Sequence, residues 1–463
     1  MRQLYGNLDI KAAERLLADA WRLDVNGWIY ARINGEPYNR GFQNGYLLAY
    51  EALETIESLK LFVEGAYKRS WRFFRETGMN LFWPKLSEEY KTEISGILEG
   101  IRARQVTNVD LEDIVALNGY FDVVSYHYWL KSKEGPGQVT SNRGEHCSAF
   151  IATGKTTKDG KVVLAHNTWF SYLTGAGYNV ILSVSPSSGN EFLMQAYPAT
   201  ICSGTDWYIS KSGLVVAETT ITGLTTFNPQ GIPYFMRARK AIQYSETLDE
   251  WTRTMIEGNN GGYACDWLVG DVKTGEIACL ELGTYNYTLD RTFNGIFAGS
   301  NVAASEKVQS ETTINYSDKS MSCTARRERW KELVESNGEP LDVGSARKFL
   351  ADHYDTYLRK DTPGRNSLCG HIDEDNRGWP EWEQGPYYPA GSFDGKITDS
   401  ELASVGAFWA HWGKPCDTPF IANSFLTEHP EYGWQKPHLK DIQAYPWILI
   451  RTYPKWRTQH KKG

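Results

Sequence analysis

One cysteine of this sequence stands where a nucleophile could acquire its own base. Cys147 begins the β-type run CSAFIATG, directly after the polar, Gly- and Pro-bearing segment 131–146. A thiolate is a strong nucleophile but needs a base near neutral pH. Cleavage of the His146–Cys147 bond would give Cys147 an α-amino group, whose ordinary pKa of about 7.7–8.0 lies well below the roughly 10.4 of lysine. The same thiol could make the cut, into pieces of 146 and 317 residues.

The competing interpretation of Cys147 is a small buried apolar residue, which is the usual state of an unpaired cysteine. A papain-like protease is disfavoured because the CGxCW context is absent around Cys147. The motif GxSxG is absent as well, which disfavours a serine α/β-hydrolase.

The periodicity of the apolar residues changes at this cysteine. Residues 1–130 are predicted to be mainly helical, with helical apolar spacing over 8–23, 41–62, 87–101 and 111–129. From Cys147 onward, β-branched or aromatic runs alternate with turn signals. The predicted strands are CSAFIATG, KVVLAHN, YNVILSVSP, EFLMQAYP, GLVVAETTI, DWLVGD and EIACLELG. Further helices are predicted over 233–244, 247–257, 325–336 and 344–354, and the chain after Thr362 is predicted to be loop-rich. This pattern predicts an α+β fold.

Composition narrows the class of protein. The 463 residues carry 49 basic and 56 acidic side chains, a net charge of −7, so the whole molecule is not expected to bind nucleic acid. The 41% of hydrophobic residues indicate a globular chain. Aromatic residues are abundant at 13%, which suits a β-rich core or an apolar cleft.

No stretch is long and apolar enough for a transmembrane helix, and no signal peptide is visible. We therefore expect a cytoplasmic protein, with secretion or a lysosomal location after loss of a leader as the alternative.

The sequence suggests no cofactor. Seven cysteines include no CxxC pair, which argues against a disulfide scaffold and against a structural zinc site. His371, Asp373 and Asp375 in HIDEDN could suggest a divalent metal, but the spacing of a calcium loop is not met. We interpret HIDEDN as a polar turn, and we predict no metal. Walker, GxGxxG and HExxH motifs are absent as well.

Several separated motifs resemble one family in the same order. These are CSA at Cys147, VVLAHNTWFSY, YPATICSGTDWYISKSGLVVAETTI and GSFDGKITDSELAS with the Trp- and Pro-rich segment after it. They are similar to the phospholipase B-like proteins of the N-terminal nucleophile hydrolase superfamily. The segment GEPYNRGFQNGYLLA also resembles a helix of the related isopenicillin-N-type acyltransferases. The resemblance implies a four-layer αββα sandwich, preceded by a helical pro-segment 1–146 that is retained as a small subunit, with 147–463 as the catalytic domain.

The resemblance also implies roles for individual residues. Cys147 matches the nucleophile, with self-cleavage between His146 and Cys147. Asn301 in FAGSN matches an asparagine that donates to the oxyanion, and Arg326 in CTARRERW looks like an arginine near the nucleophile of linear amide hydrolases. The remaining matches are a possible direct role for His166 and contributions to the substrate pocket or oxyanion side by Asn167, Trp169 and Thr220.

Each of these residues also has a simpler structural interpretation. His166 could be satisfied by a backbone carbonyl, and Asn167 and Asn301 could be turn residues at strand ends. Arg326 could belong to a solvated helix face with Glu328 and Glu332. Our prediction from sequence is a self-processing cysteine hydrolase that cleaves an amide or a carboxyl ester of a lipid-like or N-acyl substrate through a thioester. The alternative is a non-catalytic lipid- or carbohydrate-binding protein on the same scaffold.

Overall fold

The computed structural model describes residues 10–134, 146–452 and 456. The strands of the described ranges are β1 (Trp21–Val25), β2 (Trp28–Gly35), β3 (His146–Thr153), β4 (Val163–Ser171), β5 (Val180–Pro186), β6 (Phe192–Ala196), β7 (Tyr208–Ser210), β8 (Leu214–Thr220), β9 (Cys265–Asp271), β10 (Glu276–Leu282), β11 (Tyr287–Thr292), β12 (Gly295–Gly299), β13 (Tyr354–Asp355), β14 (Lys360–Asp361), β15 (Ala390–Ser392), β16 (Asp394–Asp399), β17 (Ala407–Trp412) and β18 (Ile448–Arg451).

The α-helices of the same ranges cover both sides of these strands. They are α1 (Ile10–Leu16), α2 (Pro37–Leu47), α3 (Ala49–Tyr67), α4 (Trp71–Thr77), α5 (Glu88–Ala103), α6 (Leu111–Asn118), α7 (Tyr120–Ser132), α8 (Tyr172–Gly175), α9 (Tyr234–Tyr244), α10 (Leu248–Ile256), α11 (Glu306–Gln309), α12 (Ser322–Ser336), α13 (Val343–Leu350), α14 (Ser400–Ser404) and α15 (Ala422–Glu428).

Two large sheets form in the described part of the chain. The first has the strand order β1-β2-β5-β6-β7-β8-β9-β10-β11 and is antiparallel except where β2 pairs with β5. The second has the order β12-β3-β4-β16-β17-β18, with β15 also paired to β4, and is antiparallel throughout these pairs. Strand β3 contacts β8 and β9, so the two sheets pack face to face.

Helices cover the outer faces of both sheets. Helices α2, α9 and α10 contact strands of the first sheet, whereas α12 and α13 contact strands of the second. The result is the four-layer αββα sandwich that the resemblance implies, and the prediction of fold class is confirmed. Side-chain alternation assigns each strand residue to one layer. In β3, Ile151 faces the first sheet, whereas Phe150 packs on Trp330 of α12 and Phe349 of α13.

Glycine brings two helices of the first outer layer into close contact. A Cβ atom on Gly41 or Gly45 of α2 would lie about 2 Å from a backbone carbonyl oxygen of α5, at Glu93 or Ile97. Only glycine allows this approach. It places Arg40 of α2 against Glu93 of α5, with 2.7 Å between Nε and Oε2.

The described residues before Cys147 are mainly helical, as predicted, with helices α1 to α7 over most of their length. The exception is residues 21–35, which form β1 and β2 and extend the first sheet. The helix predicted over 8–23 ends at Leu16, and β1 begins at Trp21. The predicted helix over 41–62 is two helices, α2 and α3, and the one over 111–129 is α6 and α7. The predicted strands after Cys147 are confirmed as β3, β4, β5, β6, β8, β9 and β10.

The chain after Thr362 contains more regular structure than predicted. Strands β15 to β18 and helices α14 and α15 form there, and β16 and β17 belong to the second sheet. Most of the predicted linker, residues 135–145, lies outside the described residues. No helix of the described ranges is long and apolar enough to cross a membrane.

Candidate active site

Cys147 lies near the start of β3, between the two sheets. Its neighbour across the antiparallel ladder is Thr168 of β4, and its side chain is fully buried. Because side chains alternate along a strand, Cys147 shares the inner face of the second sheet with Ala149 and Ile151. Its Sγ atom lies 3.7 Å from Oε1 of Glu218, which projects from β8 of the opposite sheet.

Glu218 is a carboxyl group within a fully buried strand. The hydroxyl groups of Tyr263 and Thr220 lie 3.2 and 3.3 Å from its two oxygen atoms and 2.9 Å from each other. Burial raises the pKa of Glu218 to about 7, against the opposing effect of hydrogen bonds from Cys265, Tyr263, Thr220 and Cys147. Glu218 is therefore suited to accept or return a proton at neutral pH.

The backbone of Cys147 is held by Asn301 and Arg326. The Cys147 N–H donates to Oδ1 of Asn301 at 3.3 Å. Arg326 donates through Nη1 to the Cys147 carbonyl oxygen at 2.7 Å and through Nη2 to Oδ1 of Asn301 at 2.8 Å. Asn301 has a φ of 71°, a left-handed conformation that asparagine tolerates better than most residues. These contacts fix both the carbonyl and the nitrogen of the residue that we predict as nucleophile.

The amide nitrogen of Asn301 is partly engaged. Its Nδ2 donates one N–H to the carbonyl oxygen of Thr220 at 2.7 Å, and an amide nitrogen carries a second N–H. Two donors face Oδ1, and a carbonyl acceptor faces Nδ2, so the hydrogen-bond pattern supports this assignment of the amide atoms. In this arrangement Asn301 offers an acceptor to the Cys147 nitrogen. Thr220 belongs to the hydrogen-bonded group around Glu218.

Arg326 lies inside the protein, and the alternative of a solvated helix face is wrong for it. Its side chain is fully buried in the first half of α12. Burial lowers the pKa of Arg326 to about 10, which leaves the guanidinium charged at neutral pH. The guanidinium carbon lies 4.3 Å from the centre of the Trp169 ring, a cation–π contact.

His166, Asn167 and Trp169 occupy both faces of β4. Candidate ligand atoms of His166, Cys147 and Glu218 lie within 4.8 Å of one another. Burial and the nearby Lys396 charge lower the pKa of His166 well below its usual value, so its ring is neutral. Asn167 points away from them: its Oδ1 accepts from the N–H of Ser148 at 3.0 Å, and its Nδ2 donates to the Leu368 carbonyl at 3.0 Å. Trp169 donates from Nε1 to Oδ1 of Asn167 at 3.2 Å.

The predicted cleavage position lies at the edge of the described residues. The backbone of His146 pairs with Trp169 as part of β3. A surface cavity of about 570 Å³ is found elsewhere, around the β1–β2 turn, Trp412 and Tyr445. Cys147 is fully buried, so access of a substrate requires a change in the residues that cover it.

Sequence reasoning missed Glu218 and Tyr263. The signal for Glu218 was a carboxylate inside the apolar run LVVAETT, since a buried acid needs a partner or a function. Its proximity to Cys147 depends on the packing of two sheets. No local pattern in the sequence encodes that distance.

The fold and site define an αββα protein with a buried cysteine at the start of an inner strand. The family model for phospholipase B matches residues 4–279, and the chain belongs to this family. Among similar proteins, phospholipase B-like protein F of Dictyostelium discoideum is 34% identical over 181 residues, 35% of this chain and 31% of the relative. Human phospholipase B-like 1 is 22% identical over 438 residues, 86% of this chain and 76% of the relative.

Several matches cover only part of the relative. The first three matches span from 31% to 52% of the curated relatives. Among solved structures, a mutant conjugated bile acid hydrolase from Clostridium perfringens is similar over 57% of this chain and 89% of that chain, with 8% identity and a TM-score of 0.31. Penicillin V acylase from Agrobacterium tumefaciens is similar over 57% and 83%, with 11% identity and a TM-score of 0.30.

Proposed function

We propose that this protein is a self-processing acyl hydrolase in which Cys147 becomes an N-terminal nucleophile. The observation that carries the proposal is the set of contacts on one residue. The Cys147 thiol faces Glu218, its nitrogen faces Asn301 and its carbonyl accepts from Arg326. Membership of the phospholipase B family supports a hydrolase.

The first reaction is cleavage of the chain before Cys147. The thiol gives its proton to Glu218, and the sulfur attacks the carbonyl carbon of His146. The C–N bond then breaks, the nitrogen of Cys147 takes up the proton that Glu218 received from the thiol, and His146 is held as a thioester. Water hydrolyses the thioester, which releases a carboxylate at His146 and restores the thiol. His146 is then no longer bonded to Cys147. Its ladder pairing with Trp169 can be lost, and β3 can open at its first residue.

The new α-amino group would then serve as the base. Oδ1 of Asn301 already accepts from this nitrogen, and Arg326 donates to the same oxygen atom. A cation so close disfavours protonation of the amine and keeps it able to accept the thiol proton. We therefore assign Oδ1 of Asn301 the role of holding the amine, and the second N–H of its Nδ2 keeps the oxyanion role that the resemblance implies.

The second reaction repeats this chemistry on an external acyl bond. Cys147 attacks the acyl carbonyl, the amine transfers the thiol proton to the leaving group, and water hydrolyses the resulting thioester. The neutral ring of His166 lies near the thiol of Cys147. The Trp169 ring packs against Arg326, which holds the Cys147 carbonyl. The substrate is a small acylated compound, a linear amide or a carboxyl ester of a lipid-like molecule.

The two pieces are expected to stay together after cleavage. Strand β2 pairs in parallel with β5, so the first sheet contains strands from both pieces. Glu93 also forms a fully buried ion pair with Arg239 of α9, at 3.0 Å. Separation would expose the sheet edge and leave buried charges unpaired, which is strongly destabilising.

Intact-mass spectrometry of the wild type and of Cys147→Ala tests this proposal. The wild type should give two chains that meet at His146 and Cys147 and co-elute in native gel filtration. Cys147→Ala should remain one chain of full length. Cys279→Ser is the matched control, because Cys279 is a free and only partly buried thiol, and it should be cleaved like the wild type.

An uncut wild-type chain whose Cys147 does not react with iodoacetamide would contradict the proposal. That result would favour the binding protein on the same scaffold. Hydrolysis of N-acyl amides and of phospholipid esters by the cleaved protein, measured side by side, assigns the bond.

A further inference from the structure

A second group of cysteine and histidine side chains lies outside the candidate active site. Its members are His353, Cys369, His371 and Cys416, and one candidate ligand atom of each lies within 4.8 Å of the others. They come from three separate segments: the connection after α13, the loop before β15 and the loop after β17. We refer to them as the Cys2His2 cluster. The four thiol and imidazole groups thus lie close together, although their spacing in the sequence contains no CxxC motif.

The distances within the cluster match the edges of a tetrahedral zinc site. Zn–N bonds of about 2.0–2.1 Å and Zn–S bonds of about 2.3 Å place two nitrogen ligands about 3.3 Å apart, and nitrogen and sulfur about 3.5 Å apart. In the cluster, Nε2 of His353 and Nε2 of His371 are 3.1 Å apart. Nε2 of His371 is 3.4 Å from Sγ of Cys369 and 3.4 Å from Sγ of Cys416. Each of these separations is within a few tenths of an ångström of the tetrahedral value.

The surroundings of His371 orient it as a ligand. Its Nδ1 lies 2.8 Å from Oε1 of Glu374, so this carboxylate accepts the ring N–H. That hydrogen bond leaves the lone pair on Nε2, the atom that faces both sulfur atoms. Metal-bound histidines commonly carry such a carboxylate on the other nitrogen. Lys414 holds Glu374 and Asp373 in place, at 3.3 and 2.8 Å.

The cluster adjoins residues that support Cys147. The Leu368 carbonyl, one residue before Cys369, accepts from Asn167, which in turn holds the N–H of Ser148. Gly370 lies between two members of the cluster, and a side chain there would overlap the Trp169 ring. A metal that fixes the 368–371 loop would therefore also fix Asn167 and Trp169.

We propose that the Cys2His2 cluster binds one structural zinc ion through His353 Nε2, Cys369 Sγ, His371 Nε2 and Cys416 Sγ. Two thiolates and two neutral imidazoles are the ligand set of closed, four-coordinate zinc sites. The ion would bind as the two thiols release their protons. It would join three separate loops. The absence of a CxxC pair argues against zinc in the sequence, but these four ligands converge from separate segments.

Metal analysis of the full chain tests this proposal. The purified protein, loaded with Zn²⁺ and passed through gel filtration, should carry one zinc per chain by mass spectrometry of the elements. The double variant Cys369→Ser/Cys416→Ser should lose this zinc, whereas Cys279→Ser should keep it. In the Co²⁺-loaded protein, thiolate-to-metal charge-transfer absorption should appear and should vanish in the double variant.

Two further measurements keep the test independent of folding and of processing. His353→Gln removes a partly exposed ligand and should weaken zinc binding even if the double variant does not fold. All variants are compared in the Cys147→Ala background, so failure of self-cleavage does not affect the readout. Absence of zinc and of the cobalt absorption in the folded wild type would overturn the proposal. A Cys369–Cys416 disulfide in peptide maps of that protein would overturn it as well.

Discussion

The two clusters that contain cysteine and histidine differ in their third kind of side chain and in their surroundings. Cys147, His166 and Glu218 project from three strands, β3, β4 and β8, between packed sheets. The Cys2His2 cluster is built on loops and has four candidate ligands. Arg326 and Lys396 lie beside the first cluster, and Lys396 is paired with Asp394. Beside the second cluster lie two carboxylates, Asp373 and Glu374, with Lys414 between them.

This difference separates a reactive site from a binding site. A nearby cation opposes a second positive charge and stabilises a thiolate, so the surroundings of Cys147 suit a nucleophile. A carboxylate on the outer nitrogen of a histidine strengthens that ring as a ligand, so the surroundings of His371 suit a metal. The identity of the side chains alone does not distinguish these two uses. The carboxylate that is hydrogen-bonded to the outer nitrogen of His371 does.

The largest effect after loss of the nucleophile is expected from Arg326→Gln. Arg326 fixes the Cys147 carbonyl and the Asn301 oxygen, and small misplacement of reacting groups typically costs about 10²-fold in rate. We expect self-cleavage to slow by about that factor or more, measured as the half-time of appearance of the two chains.

Arg327→Gln is the matched control for this change. Arg327 is the next residue of the same helix, with 32% of its side chain exposed, and it donates to the Tyr316 carbonyl away from Cys147. Its cleavage rate should equal that of the wild type. Equal rates for both variants would remove Arg326 from the reaction.

The next largest effect is expected from Glu218, whose ionisation should make the free energy of unfolding depend on pH. Its pKa is raised from the ordinary 4.5 to about 7, so the folded state holds a proton that the unfolded chain releases above about pH 4.5. This contribution to stability is complete below pH 4.5 and is lost as the pH rises through 7. At about 1.4 kcal/mol per pKa unit, the loss between pH 5 and pH 8 is about 2–3 kcal/mol.

Glu218→Gln should remove this dependence, because glutamine keeps an acceptor for Tyr263 and Thr220 without an ionisable proton. In the uncleaved Cys147→Ala background, the variant should gain stability relative to its parent at pH 8 compared with pH 5, by a few degrees in Tm. A difference in Tm that does not change with pH would contradict the raised pKa.

Sequence pattern predicted the central strands well and missed the first hairpin. Runs such as VVLAHN and LVVAETT begin with consecutive apolar residues because both faces of these strands are buried, and turn signals separate them, so their assignment was simple. The segment 8–23 has helical spacing, but Asn26-Gly27 is a strong hairpin signal. Both residues have positive φ, 45° and 79°, and they join β1 to β2. The turn chemistry overrode the apolar spacing.

Parts of the site were predictable from sequence only through the resemblance. Cys147 stood out because a β-type run follows a polar segment. Asn301 and Arg326 have no local pattern of their own, and they meet Cys147 only when β12 and α12 pack beside β3. Glu218 and the Cys2His2 cluster were missed because their members converge from different sheets and loops. Such convergence is a property of packing.

The smallest expected effect tests the surroundings of the metal cluster. Glu374 is 42% exposed, and its carboxylate accepts from Nδ1 of His371. Glu374→Gln keeps a neutral acceptor and removes the charge, so zinc affinity should fall by about tenfold, toward the lower end of the 10–100-fold usual for such partners. Competition with a chromophoric chelator measures this change.

Glu431→Gln supplies the control, since Glu431 faces Nδ1 of His429, a histidine outside the cluster. Its zinc affinity should match that of the wild type, and self-cleavage of both variants at saturating zinc should be unchanged. If Glu374→Gln binds zinc as tightly as Glu431→Gln, the carboxylate does not orient His371, and the contrast between the two clusters loses its electrostatic basis. If it instead slows cleavage at saturating zinc, the loop that carries the metal ligands and the strand that carries Cys147 respond to the same charge.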